Sequence, residues 1–326
     1  MKTINTNYTK MIGYSLFTLG LIALPWVIDI YQLHIMIIAY IFVILSLSLN
    51  LMVGYVGQLP LCQAAFFGIG AYTSALLSVK LAISFWPCIA ASFLVSAFVG
   101  FLIGFVTLRL AGHFFVLITV SFAEIVHILA KNLEEITGGP TGIKGIPAPT
   151  LPVPFLGQLT LDTEQGYYYL VLIFTALTVY LIWRLMRSLV GKNFVAIREN
   201  SDLAEAVGIN TFRYKLIAFI ISMGFSGLAG SLYAHYATLI CPTILSFNYT
   251  MTPLVMVAIG GQGTILGPII GALIFTALPE YFRLLAQYRL VILGMVLMVT
   301  IVVLPRGIKS ILDKVYEKIR KKWSVR

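Results

Sequence analysis

Few residues in this chain could do chemistry, and most of them sit inside long apolar runs. Glu124 and His127 lie three apart in Thr119-Val120-Ser121-Phe122-Ala123-Glu124-Ile125-Val126-His127, a spacing that lets carboxylate and imidazole meet along one helix. A carboxylate at the centre of a bilayer costs about 2.5–3.5 kcal/mol on insertion scales, so Glu124 must face protein or water. It either serves a pathway or interface, or makes a structural hydrogen bond between helices. Gly224-Phe225-Ser226-Gly227 has the G-x-S-G form of intramembrane serine proteases, and His235 follows on the same run. A serine nucleophile needs a base within hydrogen-bond reach. Along one helix His235 would lie about 13 Å from Ser226. The glycine spacing suits close helix packing better, as do Gly100 with Gly104 and Gly267 with Gly271.

Two Gly-rich interruptions are the next candidates. Gly54-Tyr55-Val56-Gly57-Gln58 precedes Pro60, and Gly260-Gly261-Gln262-Gly263 ends a second apolar run. They match at a constant offset (Met-Val, then Gly-Gln), which is either an internal repeat or a chance likeness of apolar Gly-rich segments. Paired interruptions in two halves of a membrane protein mark a transport pathway. Neither is a G-x-x-x-x-G-K-[ST] loop, and no H-E-x-x-H occurs, so the chain binds no nucleotide or metal of its own. Cys62, Cys88 and Cys241 are scattered and form neither a disulfide framework nor a metal site.

The most charged ordered stretch is Arg198-Glu199-Asn200-Ser201-Asp202-Leu203-Ala204-Glu205-Ala206-Val207-Gly208. Asp202 with Glu205 three residues on has a capping-box form, and Gly208 suits a left-handed stop. Leu203, Ala204, Ala206 and Val207 would then form a small apolar face. So short a helix is marginal alone. It either docks another protein or lies on its own bundle or the lipid headgroups.

The elements that must carry these residues are membrane helices. Of 326 residues 60% are hydrophobic and 10% charged, against about 25% charged in soluble domains, and the mean hydropathy is +0.96. Only helices or closed barrels satisfy their backbone in lipid, and runs of about 20 apolar residues mean helices. The expected fold is all-α, a single polytopic transmembrane domain over 1–326 with about 8–10 spans. The spans fall near 11–28, 34–53, 64–79, 85–108, 113–131, 167–187, 214–238, a broken or re-entrant pair within 252–285, and 288–304. The N-terminal run is too long for a cleaved signal.

The net charge of +10 is unevenly placed. The region around the 188–213 loop, taken over 184–215 with Arg184, Arg187, Lys192, Arg198, Arg213 and Lys215, and the tail at 305–326 are basic, while 132–166 carries Lys144 alone against Glu134, Glu135, Asp162 and Glu164. This positive-inside pattern puts the loop, the tail and both termini in the cytoplasm and 132–166 outside. The basic excess is therefore topology, with anionic lipid as a secondary partner rather than nucleic acid. Five prolines in 132–166 exclude a long helix there. The segment is a stiff cap or an irregular connector.

Taken in order, the motifs resemble the LivM-type permeases of branched-chain amino acid ABC transporters. They are Leu49-Asn50, Gly54 to Gly57, Gly68 to Tyr72, Phe122 to Ile125, Thr137 to Ile143, Ala196 to Asn200, Ala206 to Asn210, Lys215 to Phe219, Gly227 to Ala234, and Gly260 to Gly263 with Leu266 to Pro268. The chain departs from many relatives at Pro60, Cys62 and Gln63. The resemblance implies an ABC importer permease fold in the bacterial inner membrane. It also implies a second homologous permease, two ATPase subunits that use ATP and magnesium, and a periplasmic binding protein. No cofactor is expected on this chain. ATPase coupling would fall to Arg198, Glu199, Asp202, Leu203, Ala204, Glu205, Ala206, Val207 and Gly208. Candidate pathway positions are Asn50, Gly54, Gly57, Gln58, Gln63, Glu124, Gly260, Gly261, Gln262 and Gly263. The expected cargo is leucine, isoleucine and valine. The alternatives are urea or a short-chain amide as cargo, or a stand-alone secondary transporter.

Overall fold

The computed structural model describes residues 20–110, 112–153, 157–160, 163–281 and Gly294. The expected last span (288–304), the basic tail and the first half of the first span (11–19) lie outside these residues. In chain order the helices are α1 (Ile30–Asn50, continued by a π-helical turn over Leu51–Val56), α2 (Gln63–Lys80), α3 (Phe85–Thr107), α4 (His113–Asn132) and the single turn α5 (Glu134–Thr137). They continue with α6 (Glu164–Arg187), α7 (Leu189–Glu199), α8 (Ser201–Ala206), α9 (Thr211–Ala237), α10 (Phe247–Gly260) and α11 (Leu266–Tyr281). Among the described residues five are long and apolar enough to cross a membrane: α1 with its π turn, α3, α4, α6 and α9.

Burial sorts these helices into a centre and a rim. The most apolar stretch of α1 is 78% buried and that of α9 is 72% buried, against 28% for α3, α4 and α6. The outer face of α3 presents Leu94, Phe98, Phe101, Leu102 and Phe105, an apolar surface suited to lipid. Its inner face carries Gly100 and Gly104, where an added Cβ would meet Met223 and Phe219 of α9. On α9, Gly227 lies against Ser96 and Gly230 against the Phe67 carbonyl of α2. Without side chains at these points three backbones approach closely, the small-residue packing expected for Gly224–Ser231.

α2 is shorter and less apolar than the five spans, yet almost wholly interior, with Phe66, Phe67, Ala71 and Ala75 fully buried. α10 and α11 form a hairpin of two short helices. At 14 and 16 residues they reach about 21 and 24 Å. Their glycines interlock: a Cβ on Gly271 would strike the Met256 carbonyl, and one on Gly260 the Gly267 carbonyl. The hairpin packs along α1, so the broken pair within 252–285 runs down and back.

The two ends of the bundle differ. Strand β1 (Ile143–Lys144) pairs antiparallel with β4 (Leu239–Ile240), while β2 (Thr150–Val153) pairs with β3 (Gly157–Thr160). The Pro/Gly-rich segment and the exit of α9 therefore share one end. Aromatic residues ring that end: Trp26 Nε1 donates to the Tyr169 hydroxyl at 3.3 Å, and Trp86 Nε1 to the Thr150 carbonyl at 3.1 Å. At the other end the Arg187 guanidinium lies 4.0 Å over the Trp183 ring. Trp, Tyr and Arg at both limits of an apolar slab are the usual membrane-interface residues.

Candidate functional site

The candidate residues gather mainly at the basic end, where α1 stops. A helix leaves its last four carbonyls without partners. Here the π turn ends at Gly57, whose φ of 77° reverses the chain. The Gly54 carbonyl, left over by that stop, accepts a hydrogen bond from Arg198 Nη1. This also sets a cation at a helix C-terminus, where the helix dipole favours it. Wide π turns within α-helices often accompany functional sites.

Asn50, one turn earlier on the same face, reaches across to the α10–α11 turn. Its Nδ2 donates to the Thr264 carbonyl at 2.8 Å, and its Oδ1 accepts from the Gly263 amide at 2.9 Å. Both halves of the amide are thereby spent on a non-helical turn between apolar helices, whose backbone is further satisfied by Thr264 Oγ1, donating to the Gly261 carbonyl at 2.9 Å and accepting from the Gly267 amide at 3.0 Å. The fit depends on Gly54: an added Cβ would collide with Asn50 Oδ1 and the Gly263 amide nitrogen. At Gly263 an added Cβ would meet the Arg198 guanidinium at 2.5 Å and the Gly54 carbonyl at 2.8 Å. The two interruptions thus touch each other, and Arg198 bonds one and abuts the other.

Arg198 is held by the polar loop. Helix α7 begins at Ser188, whose Oγ accepts from Gly191, and buries Phe194 and Ile197 on its inner face. Helix α8 follows at once. Its N-cap is Asn200, whose side chain accepts from the Leu203 amide at 2.9 Å, so the helix starts two residues before the expected Asp202. Asn outcompetes Asp202 for the cap because it already sits at the extended break between α7 and α8. Gly208, with φ of 90°, follows the helix. Asn210 caps α9 by accepting from Arg213, and Lys215 Nζ donates to Ser201 at 3.1 Å.

The faces of α8 are plain. Ala204 is buried at 3% exposure, whereas Leu203 is 63% and Val207 71% exposed. The expected apolar face divides: Ala204 anchors the helix to its own chain, and Leu203, Ala206 and Val207 point away. Glu199, Asp202 and Glu205 are exposed around them.

The remaining pathway candidates lie apart. Gln58 and Gln262 sit at the surface near the junction, half-buried and exposed respectively. Gly260 and Gly261 are buried in the hairpin. Gln63 is fully enclosed: its Nε2 donates to Ser48 Oγ at 2.6 Å and to Ser226, whose Oγ lies 3.2 Å from Ser48 Oγ. Ser226 is therefore a partner of Gln63. His235 pairs instead with Ser74 Oγ and the Pro147 carbonyl, each at 2.8 Å, so no Ser226–His235 pair forms. Ser226 stood out in the sequence only as the serine of the G-x-S-G motif, and Ser48 and Ser222 were not singled out, although serines four apart on α9 mark one face.

Glu124 stands alone on the rim. Its side chain is 57% exposed midway along α4, and its recorded partner is His127 Nδ1 at 3.5 Å on the same helix. It shares an outward stripe with Leu117, Ser121 and Ile128. An interhelical hydrogen bond within this chain, one of the expected roles, is not what the side chain makes. At the opposite end a cleft of about 460 Å³ opens between Ser78, Ile83, Phe85, Pro147, Ala148 and His235.

A multi-pass helical bundle, with two interrupted segments tied to an ordered polar loop and its one serine–histidine motif unpaired, belongs to the permeases in class. The comparisons carry this to a family. Residues 31–302 match the family described as branched-chain amino acid transport system / permease component, and the chain belongs to it. It is 34% identical over 308 residues to the high-affinity branched-chain amino acid transport system permease protein LivM of Salmonella typhimurium, covering 88% of this chain and 72% of that one. It is 33% identical to LivM of Escherichia coli over the same shares. The permease protein LivH of Salmonella typhimurium is 25% identical over 82% of this chain and 90% of its own length. No solved structure matches the chain. As a permease component it is a transport protein, not an enzyme.

Proposed function

We propose that this chain is a permease subunit of an ATP-binding cassette importer, moving leucine, isoleucine and valine across the bacterial inner membrane. The observation that carries the proposal is α8. An ordered two-turn element at the basic end, capped at both sides, keeps Leu203 and Val207 exposed while Ala204 anchors it. Exposed apolar side chains on a rigid polar loop form a docking surface, and a separate ATPase subunit is the partner proposed for it. The positive-inside pattern supports placing that loop and both termini in the cytoplasm. The cargo assignment is supported by the likeness to the two LivM permeases.

Glu124 supports a second permease beside this one. A carboxylate exposed at mid-membrane is costly against lipid, and the α4 stripe is proposed to face a homologous subunit, with the solute pathway along that seam. The likeness to LivH supports such pairing. The cleft at the Pro/Gly-rich end, on the far side from α8, suits delivery by a periplasmic binding protein. ATP-driven closure can bias the permease only by binding its inward- and outward-facing states differently.

The test is reconstitution of this chain with its paired permease, two ATPase subunits and binding protein in liposomes. The expected result is ATP-dependent accumulation of labelled leucine, competed by isoleucine and valine. ATP-dependent uptake of urea or a short-chain amide without leucine would overturn the cargo. Leucine uptake without the ATPases would overturn the class and favour a stand-alone transporter.

A further inference from the structure

We infer that Arg198 is a positioning residue that ties the polar loop to both interrupted segments, so that loop, α1 terminus and α10–α11 turn move as one body. The inference rests on the docking role proposed for α8. It differs from that role in direction: Arg198 is exposed along its stem, but its guanidinium turns toward the Gly54–Gly263 junction. Its guanidinium donates to the Gly54 carbonyl, its Cγ would lie 3.1 Å from a Cβ on Gly57, and its Nη1 2.5 Å from one on Gly263. Two glycines, Gly57 and Gly263, therefore leave the room that one arginine fills.

The contacts on either side of Arg198 are anchored. Phe194 and Ile197 fix α7 to the bundle one turn and one residue before Arg198. Asn200 caps α8 two residues after it. Beyond the guanidinium, Gly54 is bound to the α10–α11 turn through Asn50, which holds Gly263 and Thr264. A displacement applied at α8 reaches both chain breaks through one side chain and one amide. Rigid elements with hydrogen-bonded joints are the physical means by which distant sites couple. Arginine suits the joint because its planar fork stays charged and presents several donors in fixed geometry, which lysine does not.

The experiment uses the complete reconstituted transporter with Arg198→Ala, Arg198→Lys and Gly263→Ala. The measurements are ATPase copurification and leucine moved per ATP hydrolysed. Arg198→Ala is expected to retain the ATPases and lower leucine moved per ATP at least tenfold, with Arg198→Lys between it and the unaltered protein. Gly263→Ala, whose methyl would meet the guanidinium at 2.5 Å and the Gly54 carbonyl at 2.8 Å on a backbone at φ 73°, opens the same junction, is expected to give the same uncoupling and carries the test if Arg198→Ala does not accumulate. Leucine per ATP within twofold of the unaltered protein for either alanine variant would overturn the inference. Loss of the ATPases from Arg198→Ala would also overturn it, making Arg198 a docking contact. Ala206→Asp keeps the two proposals separate: ATPases retained by that variant would remove the docking role, whatever Arg198 does.

Discussion

Truncation of the α8 apex should weaken ATPase binding by an amount set by exposure. Leu203→Ala removes three carbon groups, about 2.4 kcal/mol if wholly buried at about 0.8 kcal/mol each. Leu203 is 63% exposed in the free chain, so docking can bury about that share, giving about 1.5 kcal/mol, or roughly tenfold in Kd. Val207→Ala removes two carbons from a residue 71% exposed, giving about 1.1 kcal/mol and roughly sixfold. Val207→Asp adds a desolvated, unpaired charge and should exceed both, by several kcal/mol. The assay is a titration of nanodisc-embedded permease with labelled ATPase subunit, read by fluorescence anisotropy. Because both side chains point away from the bundle, the melting temperature of the permease should stay within a degree or two. Lys192→Gln, exposed on α7, is the control. Kd values within twofold for Leu203→Ala and Val207→Ala would refute α8 as the docking surface.

Other perturbations probe other parts. Glu124→Leu should insert and melt normally, since it removes a charge from an exposed face, yet cut leucine uptake at least tenfold. Full uptake would strike Glu124 from the pathway. Gly230→Ala drives a methyl into the Phe67 carbonyl, overpacking that should cost about 1–3 kcal/mol and appear as a lowered melting temperature in nanodiscs; an unchanged melt would contradict the α2–α9 packing. Single cysteines at Lys144 and Lys192, without the three native thiols, should react with an impermeant maleimide from outside and inside respectively. Reaction from one side only for both would reverse the topology.

Much of this architecture was legible because membrane helices advertise themselves through length and composition. The boundaries expected near 85–108 and 113–131 fall within a residue of α3 and α4, since lipid-facing runs are uninterrupted. Gly100, Gly104, Gly227 and Gly230 spoke for packing because small residues at helical spacing have that use in apolar segments. Polar side chains were harder. Asn50 and Arg198 are 148 residues apart in sequence, and nothing local predicts that both meet the Gly54–Gly263 contact. Asp202 looked like a cap because capping patterns recur in Asx-rich stretches; only the extended backbone at Asn200 decides between them. The orientation of Glu124 also lay beyond reach, because a period of 3.6 places a residue on a face without saying which face looks outward.

The burial of α9 bears on how the protein is made. Its glycines and serines meet α1, α2 and α3 rather than lipid, so a newly synthesised α9 leaving the translocon, although apolar enough to span the bilayer, would turn bare backbone and hydroxyls toward lipid until it docks. Its partners are all translated earlier and already in place. The helix therefore enters a prepared slot, with Ser222 donating to the Ser48 carbonyl only once α1 stands beside it. N-terminal order of synthesis suits the fold: a chain rearranged so that α9 emerged before α1 would leave the Ser222 hydroxyl without its Ser48 carbonyl until α1 arrived.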